Sequence, residues 1–394
     1  MADRNARWYL TGFAATMLGN SAMTLVAGVW VKSLTGDNGA AAAVSLCVFA
    51  PSLAAPFAGL LVDRVRRRRF LVAVDLAMAA AVLPLLLVRG ASTVWLVYAV
   101  MLAYGTSLVL AGPAETGLFT DLFQASARGR LNGVKMTVQE GAKLLAPPLG
   151  AALFAVVGGG VVAALDAVTF AVAAATLLLL RTPDRRPPRI PGASPWHELT
   201  AGIRHVFGAV SLRRPVVGAA AAMFIGGLIP GIQYGIADAL HRPATFVGVL
   251  VGVLGGGSIA GGLTAPVVMR RFGERPLTAA GMVNTVLATG LLALPWLPAV
   301  LAGAALRGLG LPWIVVAVLT LTQNRTGPEL QGRVSAAVSV LLFAPVAPAS
   351  ALGAGLITLV DYRVLLAAMA AVNLGMVAYL YAPVRRAVGA RTGR

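Results

Sequence analysis

Five ionisable residues interrupt stretches that are otherwise apolar for the thickness of a bilayer: Asp75, Glu115, Glu140, Lys143 and Arg307. A charge at the middle of a membrane costs roughly 2.5–3.5 kcal/mol on an insertion scale, so each of these needs a partner or a task. Glu115 stands ten residues before, and Lys135 ten residues after, a turn centred near Ala125, which puts Gln139 and Glu140 at comparable or slightly greater depth. Lys143 follows Glu140 at i,i+3, within ion-pair reach on a helix. Glu115, Glu140 and Lys143 are therefore expected to form one buried cluster. Such a cluster either ties two helices together as a satisfied ion pair or works as a proton site. In a proton site, a carboxylate takes up a proton when it is desolvated and gives it back when its cationic partner returns. On that second reading Glu140 comes first and Glu115 second; Asp75, two turns inside its stretch, either carries a proton or supports a gate.

The elements that must position these charges follow from composition. The 394 residues are 58% hydrophobic and only 12% charged, with 45 glycines and 23 prolines. Soluble domains carry about 25% charged residues, and glycine and proline are frequent in membrane helices. Twelve apolar stretches of span length are read at about 8–32, 39–62, 69–88, 93–117, 135–157, 161–180, 216–240, 245–269, 276–294, 298–322, 334–358 and 362–382. The first is longer than a signal-peptide core and is read as a retained span. Alternate connections collect 26 of the 32 lysines and arginines, whereas the opposite side holds only Lys32, Arg89, Arg242 and Arg363. By the positive-inside rule both termini are expected in the cytoplasm of a multi-pass protein in the inner (plasma) membrane. The net charge of +18 is then a record of topology, and nucleic-acid binding is not expected.

The proline-dense run from Arg181 separates six stretches from six and reads as a linker. Beyond it, Leu199, Ile203, Val206, Phe207 and Val210 recur at helical spacing, which predicts an amphipathic helix at the membrane interface. The expected organisation is an N-terminal six-helix bundle (1–180), a linker (181–214), a C-terminal six-helix bundle (215–386) and a tail (387–394). The halves echo one another: GLLVDRVRRRRF follows the second stretch, and PVVMRRFGERPL follows the eighth. Duplicated halves place a binding site between them near the membrane midplane.

The first of these loops resembles the signature G-x-L-A-D-R-x-G-R-K-x-x-L of the major facilitator superfamily. Gly59, Leu61, Asp63, Arg64, Arg67, Arg68 and Leu71 match it; Val62 and Arg66 replace an alanine and a glycine. The second copy keeps Arg271, Phe272, Gly273 and Arg275, with Arg270 in place of the aspartate. Stretches such as RGRLNGVKMTVQEGAKLLAPPLGAALF and TGPELQGRVSA are similar to the branch containing macrolide exporters and the enterobactin exporter. APPLGA at 146–151 resembles the antiporter motif of the fifth helix, with Pro147 and Gly150 matching as helix-packing residues. The resemblance implies an all-α integral membrane fold of twelve transmembrane helices in two pseudo-symmetric six-helix bundles. It also implies a conformational latch of Gly59, Asp63, Arg64, Arg67 and Arg68, with Asp63 against the start of the eleventh helix near Gly332, Arg333 and Val334.

The activity so implied is proton-coupled antiport, exporting hydrophobic small molecules such as drugs or antibiotics by alternating access. Export of one endogenous product, or a non-transporting receptor or scaffold, are the alternatives. Expected partners are a small-molecule substrate, protons and the lipid bilayer, with the protein a monomer. Substrate-cavity candidates are Asn20, Tyr104, Gln139, Lys143, Gln233, Tyr234, Arg307 and Trp313. Asn20 stands where relatives often have an acid, and Arg307 lies on a helix that lines the central cavity in this superfamily. Asp166 and Asp238 are read as solvated or structural. No cofactor beyond a proton gradient is expected: there is no G-x-x-x-x-G-K-[ST] loop, and three histidines and one cysteine are scattered, so no metal site is expected.

Overall fold

A computed structural model describes residues 2–54, 65–181, 195–327 and 330–382. Gly59, Asp63 and Arg64 of the signature loop lie outside the described residues, as do residues 182–194 of the linker and the whole tail. The described chain is helical almost throughout, as it must be where no water is available to the backbone. In order, the helices are α1 (Ala2–Thr35), α2 (Asn38–Phe49) with a 3-10 turn (Ala50–Ala54), α3 (Arg67–Val82) running into a 3-10 turn (Leu83–Leu87), and α4 (Val94–Leu122). A single run, Ala125–Leu179, is broken at Gly158 into α5 (125–157) and α6 (159–179). Then follow α7 (Pro195–Gly208), α8 (Val210–Gly227), α9 (Ile229–Ala239), α10 (Phe246–Phe272), α11 (Glu274–Leu292), α12 (Leu297–Asn324), α13 (Gln331–Phe343), α14 (Val346–Leu359) and α15 (Tyr362–Tyr381).

Each of the twelve apolar stretches coincides with a helix or a pair of shorter helices, the second being described only as far as Ala54. Among the described residues eight helices are long and apolar enough on their own to cross a membrane, or up to nine if a bent pair forms one span. The four not counted are the second stretch, described only as far as Ala54, the sixth, which runs on from the fifth as one helix, the seventh, broken between α8 and α9, and the ninth, α11, whose first turn carries Glu274 and Arg275. α7 meets α8 at 111°, so it lies across the direction of the spans.

Two features of sequence set this geometry. Gly158 adopts φ +77°, a left-handed conformation that reverses the chain between α5 and α6 and that costs a side chain roughly 1–2 kcal/mol. Gly257, Gly261 and Gly308 let α10 and α12 approach to backbone contact: a methyl at any of them would collide with a carbonyl oxygen of the facing helix. The first half is centred on Met23, Val26, Trp30, Val48, Met101 and Phe170. The second half has clusters around Ile232, Leu250, Val300 and Leu366 and around Met223, Met282, Ile314 and Val338.

Gly158→Ala is expected to lower stability by about 1–2 kcal/mol, read as a lower melting temperature of the purified protein in detergent. Gly141→Ala, where nothing lies within 4 Å of the added methyl, should be neutral or up to about 1 kcal/mol stabilising. Equal effects would show that the left-handed turn is not strained by a side chain.

Candidate functional site

The halves touch along α2 with α9 and α14, and along α5 with α10. At the end away from the arginine-rich loops, Asp238 Oδ2 accepts from Lys32 Nζ at 2.8 Å and from Asn38 Nδ2 at 2.9 Å. Tyr234 on α9 packs against Gly28 of α1, and Gly39 of α2 against Thr358 of α14. Val29, Ala41, Tyr234, Ala237 and Val247 make one apolar cluster across the seam. Along α5 the contact with α10 runs through Ala151 and Pro148 to Leu144, which meets Gly255. The contacts of Asp238 with Lys32 and Asn38 tie the halves together at this far end.

Within the first half, near the basic end, a cavity of about 480 Å³ lies between α1, α3, α4 and α6. Asp75 and Glu115 both line it, together with Tyr9. Glu115 Oε1 accepts from Lys135 Nζ at 2.5 Å and from the Tyr9 hydroxyl at 2.7 Å, and Lys135 also reaches Tyr9 Oη at 3.1 Å. The ammonium sits 4.6 Å from the centre of the Phe13 ring, a cation–π contact that helps hold it out of water. Asp75 has neither a hydrogen bond nor an ion pair among the described residues. Two carboxylates thus face one cavity, and one of them, Glu115, is paired with Lys135.

In the second half, Pro230 lacks the N–H that would bond the carbonyl of Gly226 one turn back. Arg307 of α12 donates Nη2 to that carbonyl at 3.4 Å, and Ser350 of α14 donates to the neighbouring Gly227 oxygen at 3.2 Å. The break in the seventh span is therefore served from the tenth and eleventh. Gln233 and Arg307 share the wall of a small apolar cavity there with Leu250 and Ala304.

Two helical bundles that meet along a seam of this kind are the architecture of a carrier with alternating access. A family model of the Major Facilitator Superfamily matches residues 8–229. The chain belongs to that superfamily. It is a multi-pass membrane transporter of the major facilitator type, with the corresponding fold. Similar solved structures include a mutant of the nucleoside transporter NupG, 10% identical over 96% of this chain and 98% of that one with a TM-score of 0.77. A bacterial homologue of the iron transporter ferroportin in an inward-facing state is 17% identical, covers 96% and 98%, and has a TM-score of 0.69. A mutant of the peptide transporter POT in complex with alafosfalin is 16% identical, covers 94% and 93%, and has a TM-score of 0.70. No curated relative matches the chain at significant similarity.

In this major facilitator protein the expected cluster of Glu115, Glu140 and Lys143 does not form. Lys135 takes Glu115, while Glu140 and Lys143 pair with each other at 2.8 Å, with their side chains 42% and 54% exposed. The reason is azimuth: Glu140 lies one turn before Leu144 on the face that meets α10, so it turns to the gap between halves, away from α4. Arg67 pairs with Asp121 at 2.9 Å, and Arg68 donates to the carbonyls of Leu177 and Leu178 at the end of α6. Both arginines are thus engaged within the first half. Pro147 and Gly150 lie in α5, and Gly150 packs on Ala22 and Val26 of α1.

The cavity candidates scatter. Tyr104 is fully buried and donates its hydroxyl to Asp166 Oδ2 at 2.7 Å, and Tyr234 is buried in the seam. Neither lines a central cavity. Trp313 donates Nε1 to Thr264 at 2.9 Å, tying α12 to α10. Asn20 is buried with Oδ1 unpartnered, and Gln139 is half-buried. Asp166 is not solvated: it is 3% exposed. Sequence reasoning missed Lys135 as the partner of Glu115, although its matching distance from the turn was legible. It also missed the Asp166 pocket, whose sign was Thr169 at i+3.

Lys135→Gln strips a partly buried carboxylate of its cation and is expected to cost about 2 kcal/mol. Lys143→Gln, at an exposed i,i+3 pair, should cost less than about 0.5 kcal/mol. Urea or thermal unfolding of the two purified variants checks this, and equal losses would contradict the assigned pairing.

Proposed function

We propose that the chain exports hydrophobic small molecules in exchange for protons, of the kind carried by the macrolide and enterobactin exporter branch it resembles. The basic end faces the cytoplasm on this reading. The observation that carries the proposal is the cavity shared by Asp75 and Glu115, with Glu115 paired to Lys135. Two carboxylates and one ammonium hold a net negative charge that one proton neutralises. A conformational change that moves Lys135 off Glu115 would make uptake of a second proton favourable, which links protonation to the position of α5. α5 is also the helix that meets the second half at α10, so the proton site and the moving seam share an element. Each proton entering down a gradient of one pH unit supplies about 1.36 kcal/mol. Glu140, on the face toward the gap, takes the part of a cavity-lining residue rather than of the obligatory carrier. A dedicated exporter of an anionic product is the second reading, favoured by Arg307, whose contact among the described residues is one long bond to a carbonyl.

Proteoliposome transport under an imposed pH gradient, with cationic, neutral and anionic compounds, tests coupling. Glu115→Gln should abolish gradient-driven accumulation while leaving downhill exchange, Asp75→Asn should weaken it, and Glu140→Gln should leave it intact. Coupling that survives in Glu115→Gln sinks the assignment. Loss of transport of acids alone in Arg307→Ala would favour the second reading.

Alternating access requires the far end to open. In a Cys47→Ala background, Gly39→Cys with Thr358→Cys should form a disulfide, since these positions touch across the seam. Oxidation is expected to arrest turnover and reduction to restore it. Full transport by the cross-linked protein would rule out opening between α2 and α14.

A further inference from the structure

A second cavity opens on the flank of the first half between α1, α5 and α6. Its wall is apolar, and Leu18, Leu149 and Leu165 are exposed at its mouth. The direction of that mouth follows from helix geometry. The face of α5 that meets α10 is made by Leu144, Pro148 and Ala151. Leu149 lies about 100° around the helix from Pro148, on the side where Leu145 and Val156 are also exposed. The cavity therefore opens to the bilayer and not to the gap between the halves.

Its floor carries Asp166, which is 3% exposed. Oδ2 accepts from the Tyr104 hydroxyl at 2.7 Å, and Oδ1 lies 3.4 Å from the Thr169 hydroxyl. Among the described residues no cation stands within 4.0 Å of this carboxylate. Gly19 lets α1 pass close beside this carboxylate, because a methyl group there would collide with Oδ1 and with the Thr169 hydroxyl. Two neutral hydroxyls orient a carboxylate but do not balance its charge, and a carboxylate in apolar surroundings calls for a cation or a proton.

We propose that this flank cavity binds amphipathic amines dissolved in the membrane. The ammonium donates to Asp166 Oδ1 and the apolar body lies against Leu18, Leu149 and Leu165. The site is separate from the carboxylate pair of Asp75 and Glu115. Occupancy of it is a matter of binding and stands whether or not the carrier is coupled to protons.

Tritiated dodecylamine is titrated into the full chain in phosphatidylcholine nanodiscs, with empty nanodiscs giving the partition into lipid alone. Saturable binding is expected, displaced by unlabelled dodecylamine and not by dodecanol or dodecanoate. Asp166→Asn, which still accepts from Tyr104, should weaken binding about tenfold or more, the scale of one charge-assisted contact. Leu149→Trp fills the exposed mouth without touching the acid and should also abolish binding, while Glu115→Gln should leave it unchanged. Wild-type affinity in Asp166→Asn, or displacement by dodecanol as effective as by the amine, would overturn the proposal. Should Asp166→Asn not fold, undiminished binding by Leu149→Trp overturns it on its own.

Discussion

Inside a bilayer no water satisfies a stranded charge or a freed carbonyl, and the described structure is organised around that constraint. Glu115 is held by Lys135 and Tyr9, and Lys135 is walled by aromatic rings. The carbonyl that Pro230 leaves free is met by Arg307, and the next by Ser350. Arg68 caps the last carbonyls of α6, and Arg214 and Arg275 do the same service for the end of α15. Polar side chains therefore act as ties between particular helices, and the ties decide which helices can move together.

Seen this way, the two halves differ from the seam between them. Inside each half the ties are numerous and the glycine-mediated approaches close, as between α10 and α12. Across the seam Asp238 meets Lys32 and Asn38 at the solvent-facing far end, where an ion pair contributes little. Where α9 meets α1 and α2, and where α10 meets α5, the seam is apolar packing of small residues, which can slide or separate without leaving buried polar groups unpaired. Stiff halves joined by a weakly bonded seam are the mechanical requirement for rocking about a central site.

How much of the site was legible varied with the kind of inference. Depth along a helix could be counted from the turns, and it correctly put Glu115 near the level of Lys135 and the residues after it. Azimuth could not, because a step of one residue turns a side chain by about 100° and no local pattern says which neighbour waits there. Glu140 and Lys143 look like partners of Glu115 by depth alone, yet they face another direction and keep each other company. Of the two readings of Asp166, solvated or structural, the sequence cannot choose, because Tyr104 reaches it from α4, a helix distant in sequence.

The sequence by itself determined the class of molecule: hydropathy marks the spans, the bias of arginine and lysine marks two sides, and the loop motif marks the superfamily. These are one-dimensional properties, written in composition and spacing along the chain. Only the tertiary structure decided which charges meet, that Arg67 and Arg68 tie the third span to the fourth and sixth, and that the halves are joined at the far end. Those outcomes depend on how helices are rotated and packed against partners up to 206 residues away. A chain of apolar helices leaves that rotation to the few polar groups that must find one another.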